Sequence, residues 1–259
     1  RNTVGNVSYT IGMNGGYSKN EILFWDEAPG APSYQRSTGA PINARTYYEA
    51  IGIFTDQQHL DSYPHFNNAR PGDVIFADVN NDGNIDANDM VRSDKTSIPR
   101  WTGGLNFEIK YKGFDFSALV QGAAGAQTYI QTESGTIGNF LKSFYDERWT
   151  ESNPGASSPR TFDRGAEYWA SLSNTYWLHN TDYIRLKNIE IGYSFPEKIL
   201  DKAGIQRVRL YMNAYNLLTY SPDMKDFDPE LAPSIDNPNS DGQSYPLQKI
   251  INMGLSLTF

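Results

Sequence analysis

Long runs of alternating apolar and polar side chains dominate this sequence. In the clearest run, Met253, Leu255 and Leu257 occupy one set of alternate positions, and Asn252 and Ser256 occupy the other. Successive side chains of an extended strand point to opposite faces, so a period of two predicts a strand with one apolar and one polar face. We therefore predict an all-β chain whose strands are antiparallel.

Six such strands are predicted, near residues 6–19, 101–111, 114–122, 183–195, 207–217 and 247–259. A globular strand averages about 5–6 residues, whereas a tilted strand that crosses a bilayer needs about 9–11. The length of the runs favours a transmembrane β-barrel. A large antiparallel sheet with one face on a soluble core would give the same alternation and is the alternative.

The connections between the predicted strands alternate between short and long. Lys112-Gly113 and residues 196–206 are short, whereas residues 20–100, 123–180 and 218–246 are long. Outer-membrane barrels have short periplasmic turns and long extracellular loops, and a soluble sandwich has no reason for this asymmetry. The polar positions would then line the lumen; they include Thr102, Asn106, Glu108, Asn252 and Ser256.

Composition excludes several classes of function. The net charge of −8 argues against a nucleic-acid partner, which needs clustered Lys and Arg. The chain has no cysteine, which excludes cysteine catalysis and Cys-ligated zinc. No run approaches the about 18 apolar residues of a transmembrane helix. No catalytic motif is present, and His59, His65 and His179 are predicted to be surface residues, so we expect no enzyme activity.

One segment carries the signature of a metal site. Residues 78–89 match the calcium-loop pattern D-x-[DN]-x-[DN]-G, with an aspartate where an EF-hand places Glu. Calcium takes about 6–8 oxygen ligands. The predicted ligands of a structural Ca²⁺ are Asp78, Asn80, Asp82, Asn84 through its carbonyl group, Asp86 and Asp89. A polar turn without an ion is the alternative. A second acidic stretch, residues 236–242, has poor ligand spacing and is predicted to be a solvated loop.

The predicted loops are rich in aromatic residues. Those that stand out are Phe24, Trp25, Tyr47, Tyr48, Phe144, Tyr145, Trp149, Tyr168, Trp169, Tyr176 and Trp177. Exposed rings stack on sugars or pack against a partner protein. For most of these rings we favour packing within the loops or at the membrane interface, and the sequence identifies no substrate-binding residue.

Several segments, spread over almost the whole chain, form a recognisable set. They are Pro71-Gly72-Asp73 ahead of the acidic loop, and residues 111–116, 146–150, 182–188, 192–196, 213–216 and 254–259. Together they resemble the SusC-like (SusC/RagA) family of TonB-dependent outer-membrane transporters. The terminal Phe259 also resembles the C-terminal recognition signal of outer-membrane barrels.

The resemblance implies a barrel of about 22 strands that is preceded by a plug domain and a TonB box. This chain would then be the C-terminal part of a longer protein. The implied function is TonB-dependent import of an oligosaccharide or peptide across the bacterial outer membrane. The implied partners are a SusD-like surface lipoprotein lid, the TonB complex acting through the missing N-terminal region, and outer-membrane lipid. The alternatives are a soluble, secreted, calcium-stabilised β-protein that binds carbohydrate, and a secreted glycosidase.

Overall fold

A computed structural model of the chain describes residues 2–131, 140–163, 165–200, 204–231 and 245–259. Its strands are β1 (Asn2–Val4), β2 (Val7–Tyr17), β3 (Thr46–Tyr48), β4 (Ala50–Ile53), β5 (Val74–Phe76), β6 (Met90–Arg92), β7 (Trp101–Tyr111), β8 (Phe114–Ala124), β9 (Gln127–Tyr129), β10 (Leu178–Asn180), β11 (Tyr183–Ser194), β12 (Arg207–Tyr220) and β13 (Ile250–Thr258). Its α-helices are α1 (Gln57–Asp61), α2 (Lys142–Glu147), α3 (Tyr168–Ser171) and α4 (Glu197–Leu200).

The long strands form one antiparallel sheet in the order β1-β2-β7-β8-β11-β12-β13. Its six long strands lie within three residues of the predicted bounds at either end. The short β1 pairs with β2 and was not predicted. The described residues contain no helix that is long and apolar enough to cross a membrane.

A two-residue turn joins β7 to β8. Lys112 and Gly113 both have positive φ, at 45° and 87°, as the tight hairpin turn that suits twisted strands requires. A Cβ atom on Gly113 would come within 2.7 Å of the carbonyl oxygen of Ser194. Glycine is therefore needed here both for its backbone conformation and for the close approach of the neighbouring strand.

The registers assign the two faces of the sheet. Directly opposed residues share a face, and Met13 opposes Leu105, whereas Gly12 opposes Asn106. The face that carries Leu105, called the apolar face below, is exposed: Met13 is 85% exposed and Met253 is 83% exposed. The other, polar face carries the five residues predicted to line a lumen: Thr102, Asn106, Glu108, Asn252 and Ser256.

Aromatic pairs mark both ends of the apolar face. At the loop end, where the long connections attach, the rings of Tyr17 and Trp101 lie 4.5 Å apart. At the turn end, where the short connections attach, the rings of Phe114 and Tyr193 also lie 4.5 Å apart. Strands rise about 3.4 Å per residue, so the distance along β7 from Trp101 to Tyr111 is about 34 Å, or about 25 Å in height at the usual barrel tilt.

The hydrophobic core of the chain lies in the connections. Residues 44–99 and 126–181, as far as they are described, fold into what we call the outer module, with three small sheets: β3-β6, β4-β5 and β9-β10. Its main core consists of Tyr48, Val74, Phe76, Phe144, Phe162, Tyr168, Trp169, Ala170 and Trp177. The predicted loops 20–100 and 123–180 therefore contain packed secondary structure.

Buried charges join the two halves of the outer module. The Asp73 carboxylate is fully buried, accepts hydrogen bonds from the Trp169 indole at 3.0 Å and from the backbone N–H of Arg70, and lies 2.8 Å from the Arg160 guanidinium. Arg160 also contacts Glu167 at 2.6 Å. Burial raises the pKa of Asp73 above its ordinary value, and the charge of Arg160 opposes this shift.

Candidate functional site

The turn half of the polar face carries an ion-pair network across three strands. Arg209 on β12 contacts Asp115 on β8 at 3.1 Å through its Nε atom, and it contacts Glu190 on β11 at 2.6 Å. Strand β11 lies between β8 and β12, so the guanidinium crosses an entire strand to reach Asp115. A Cβ atom on Gly192 would lie 2.4 Å from Nη2 of Arg209. Glycine at this position therefore leaves the space in which the arginine lies.

The loop half of the polar face carries a second, more deeply buried arginine. Arg185 on β11 is 1% exposed and contacts Asp228 and Glu230, each at 2.6 Å. Glu230 also accepts hydrogen bonds from Lys187 at 2.8 Å and from the Tyr183 hydroxyl at 2.9 Å. A charge this deeply buried is stable only when it is paired, and here two carboxylates surround one guanidinium.

Both carboxylates belong to the connection between β12 and β13. We call residues 221–231 the strap. Because Arg185 shares the polar face with Gln121 and Thr219, the strap lies against that face of the sheet. Ser221 donates a hydrogen bond to the carbonyl of Asp182 at 2.7 Å, and Asp223 accepts one from the backbone N–H of Asn180 at 2.7 Å. The strap is thus held to both the sheet and the outer module.

A cleft of about 370 Å³ separates the strap from the outer module. Its lining includes Ser143, Glu147, Trp177, His179, Asp223 and Phe227. Carboxylates, hydroxyls and aromatic rings can bind a polar ligand with apolar surfaces through hydrogen bonds and stacking. The cleft lies between the outer module and the strap on the loop half of the polar face, and it is the candidate site for ligand contact in the described part of the chain.

The segment predicted to bind calcium brings its first three ligands together. The Asp78 carboxylate accepts hydrogen bonds from the N–H groups of Asp82 at 3.2 Å and Gly83 at 2.9 Å. Asn80 donates its amide to Asp82 at 2.9 Å, and Asp82 accepts the N–H of Asn84 at 2.8 Å. The hydrogen bonds that the Asp82 carboxylate accepts from Asn84 and Asn80 lower its pKa, with the backbone N–H of Asn84 as the largest cause.

The last two predicted ligands serve as helix-capping groups. Asp86 caps the 3₁₀ turn Ala87–Asp89, and it accepts the N–H of Asn88 at 2.7 Å. Asp89 is fully buried and accepts N–H groups from Val79 and Asp86, each at 2.8 Å. Among the residues that the structure describes, no three His, Asp or Glu side chains are grouped to hold a metal ion. A bound cation would therefore depend also on the oxygens of Asn80 and Asn84.

The loop aromatics divide into buried and exposed groups. Tyr47, Tyr48, Phe144, Tyr168, Trp169 and Trp177 are buried. Trp149 donates its indole N–H to the carbonyl of Thr55 at 3.0 Å, and Tyr176 packs against the core. Phe24, Trp25 and Tyr145 are exposed. Packing within the loops, which we favoured from the sequence, describes most of these rings. The acidic stretch 236–242 lies outside the described residues.

Sequence reasoning missed the residues that organise this site. Asp73 and Arg185 lie within segments that carried the family resemblance, but nothing nearby in sequence revealed their partners. The partners Arg160 and Asp228 are distant along the chain, and only the folded structure brings them together. A signal was present in one case, since Asp73 immediately precedes the apolar run Val74–Phe76, where an unpaired carboxylate would be costly.

Comparisons with known proteins place these features in a family context. No protein-family model matches the sequence. TonB-dependent receptor P3 of Formosa agariphila is 31% identical over 253 residues, which cover 92% of this chain and 24% of that protein. TonB-dependent receptor SusC of Bacteroides thetaiotaomicron is 28% identical over 220 residues, which cover 82% of this chain and 20% of that protein. The chain thus spans about a quarter or less of these relatives.

Solved structures share the fold. The RagAB peptide transporter matches 100% of this chain and 28% of its own chain, with a TM-score of 0.71 at 23% sequence identity. The RagAB peptide importer in its open-open state matches 99% of this chain and 27% of its own, with a TM-score of 0.66 at 21% identity. The named relatives are receptors and transporters, in agreement with the prediction that the chain is not an enzyme. The resemblance found in the sequence is confirmed: this chain is similar to part of a TonB-dependent receptor over 92% of its length and to part of SusC over 82%.

Proposed function

We propose that this chain forms part of the barrel wall and the extracellular loops of an outer-membrane transporter. The transporter imports an oligosaccharide or a peptide with energy from the TonB complex. The observation that carries this proposal is the exposed apolar face of the sheet, which includes Ile11, Leu105 and Leu255. A contiguous apolar face of this size would aggregate in water, whereas lipid covers it at no cost.

The height of the apolar face supports a membrane location. The aromatic pairs at its two ends lie about 25 Å apart in height at the usual barrel tilt, which is the height of the apolar band in outer-membrane barrels. In this arrangement the loop end faces the outside of the cell and the turn end faces the periplasm. The polar face then lines the lumen, around a plug that another part of the transporter supplies.

The edges of the sheet support closure with further strands. Among the strands that the structure describes, β13 pairs only with β12, and β2 pairs with β7 along its length but with only the short β1 on its other side. Unpaired backbone groups cost several kcal/mol each in lipid. We therefore place both edges against other strands of the same transporter in a closed barrel.

The cleft between the strap and the outer module is where we place contact with the nutrient. It lies at the extracellular mouth of the proposed lumen, and its lining combines rings with hydrogen-bonding groups. RagAB is named a peptide transporter, and the family resemblance of the sequence implies an oligosaccharide or a peptide as cargo. We propose a SusD-like lipoprotein as the lid above this mouth.

The test uses the full-length transporter in its native cell. We expect it in the outer-membrane fraction, with gel mobility that changes on heating, together with a co-purifying lipoprotein. Intact cells should take up members of a fluorescent oligosaccharide panel or a fluorescent peptide panel, and uptake should stop when TonB is deleted. A transporter gene deletion is the matched control. Recovery of the protein in the soluble secreted fraction would overturn the proposal.

We also propose a structural Ca²⁺ in the extracellular loop 78–89. Oxygens of Asp78, Asn80, Asp82, Asn84, Asp86 and Asp89 would hold the ion, and binding would fix the loop. Support comes from the gathering of the first three side chains around one turn. A bound cation would also offset the repulsion among the four carboxylates of this twelve-residue segment.

Calcium binding can be measured on the purified transporter by calorimetry and by the melting of its extracellular part. The Asp82→Ala variant should lose binding, because Asp82 is exposed and central in the loop. Asp26→Ala, an exposed acidic residue elsewhere, should bind normally. Equal calcium affinity in the Asp82→Ala variant and the parent protein would reject the site.

A further inference from the structure

We propose that Arg185 is a positioning residue for nutrient capture, because it fixes the strap as the inner wall of the cleft. The inference rests on the proposed import function for the identity of the cleft, but the mechanical role of Arg185 can be tested independently. Three observations lead to it: the placement of the strap, the empty space on both of its sides, and the nature of its anchors.

The strap separates two cavities. The cleft toward the outer module has a volume of about 370 Å³, and a second cavity of about 450 Å³ lies between the strap and the β12–β13 side. Lys225, Asp226 and Phe227 line both of them. Residues 225–227 have empty space on both sides, whereas the neighbouring Met224 is buried at 3% exposure. The position of this stretch is therefore set by Met224 and by a few polar contacts and not by a continuous core.

The contacts that hold the strap are of unequal strength. Ser143 donates one hydrogen bond to Asp226 at 2.8 Å, and Asn180 donates its N–H to Asp223. These contacts involve exposed groups. By contrast, Arg185 is 1% exposed, and its carboxylate partners Asp228 and Glu230 are 8% and 14% exposed at the side chain. Charge-assisted hydrogen bonds removed from water are the stronger class, and loss of one partner leaves a buried charge unpaired.

The partners of Arg185 extend the anchor in two directions. The other oxygen of Asp228 accepts the backbone N–H of Leu247 at 3.1 Å, which attaches the segment that leads into β13. Glu230 is also held by Lys187 and Tyr183. Arg185 thus ties the end of the strap to β11, and its partner Asp228 ties it to the chain on the far side of the β12–β13 connection. Release of this anchor would free the wall that carries Lys225 and Phe227.

The experiment measures the strap directly in the full-length transporter with its native partner. Lys225 is an exposed trypsin site on the strap. In the parent protein, the anchored strap should resist cleavage after Lys225. The Arg185→Met variant should be cleaved there about tenfold faster or more, since breaking a buried pair is costly. Arg185→Lys keeps the charge and should give an intermediate rate.

Arg209 provides the matched control. It is also an arginine on the polar face with two carboxylate partners, but those partners, Asp115 and Glu190, lie on strands. Arg209→Met should leave the cleavage rate after Lys225 unchanged. Cleavage after Lys19, an exposed site that does not line the cleft, should not respond to either variant. Cleavage that rises equally at both sites would indicate general loosening and would overturn the proposal.

A second measurement covers the case in which Arg185→Met does not assemble. Asp228→Asn combined with Glu230→Gln alters only the strap side and leaves β11 intact. Spin labels on Lys225→Cys and Tyr145→Cys, in this chain that has no cysteine of its own, report the distance across the cleft. The double variant should broaden that distance distribution, and an unchanged distribution would overturn the proposal. If the parent transporter takes up no member of either panel, the proposed import function is rejected. If cleavage after Lys225 still depends on Arg185 in that case, the mechanical role of Arg185 stands.

Discussion

The sheet and the outer module use apolar side chains in opposite ways. In the sheet, residues such as Met13 and Met253 are more than 80% exposed, and polar networks occupy the other face. In the outer module, Trp169 is fully buried, and Asp73 and Arg160 are paired beside it. Two solvents would produce this difference: under the proposed function, lipid surrounds the sheet and water surrounds the module. Apolar side chains of the module are buried against one another, whereas those of the sheet face outward, where we propose that they contact lipid.

The largest expected effect comes from truncating the same residue type in each region. Trp169→Ala removes a buried ring from the module core and should cost about 3–5 kcal/mol. We expect rapid hydrogen exchange and proteolysis throughout the module while the heat-modifiable barrel band persists. Trp101→Ala, on the apolar face of the sheet at 58% exposure, should leave module exchange unchanged. Equal effects of the two changes would contradict the contrast between the regions.

A charge placed on each face of one strand tests the lipid assignment. Leu105→Arg puts a guanidinium on the apolar face near mid-height and should cost about 2–4 kcal/mol. The fraction of transporter that reaches the folded, heat-modifiable form in membranes should fall. Asn106→Arg places the same charge on the polar face one residue away and should assemble well. Normal assembly of both variants would mean that lipid does not cover the apolar face.

A smaller effect is expected at the glycine beneath Arg209. Gly192→Ala puts a methyl group where the guanidinium lies and should displace Arg209 from Asp115, at a cost of about 1–2 kcal/mol. Urea unfolding of the barrel in detergent should detect the shift. Gly16→Ala is the matched control, because the nearest atom to its new Cβ is 3.8 Å away. A control variant that destabilises as much as Gly192→Ala would assign the effect to strand propensity.

The sheet could be predicted from sequence because its determinants are local. Alternation along a single strand reveals its faces, and the register then follows from turns such as Lys112-Gly113. The antiparallel fold was confirmed, and the strand bounds differ little from the prediction. Closure of the barrel is a proposal, because the sheet described here has open edges.

The outer module and the strap could not be predicted because their determinants are distant in sequence. Val74 and Trp169 belong to one core. The Val74 carbonyl accepts a hydrogen bond from Tyr168, which lies 94 residues away in the sequence. Strands of three or four residues, such as β3 and β5, are too short for a period-two pattern to emerge. The aromatic residues were noticed, but their burial depends on contacts that composition does not encode.

The separate core of the outer module has a consequence for how such a transporter diversifies. Residues on the module's outer surface, such as Tyr145 on α2, are exposed, so we expect their replacement to disturb neither Trp169 nor the sheet. Insertion into the membrane and recognition of cargo then come under separate selective constraints. In the proposed transporter, duplicated genes would change cargo specificity through a few exposed residues of the outer module. The residues of the sheet that direct membrane insertion would stay the same.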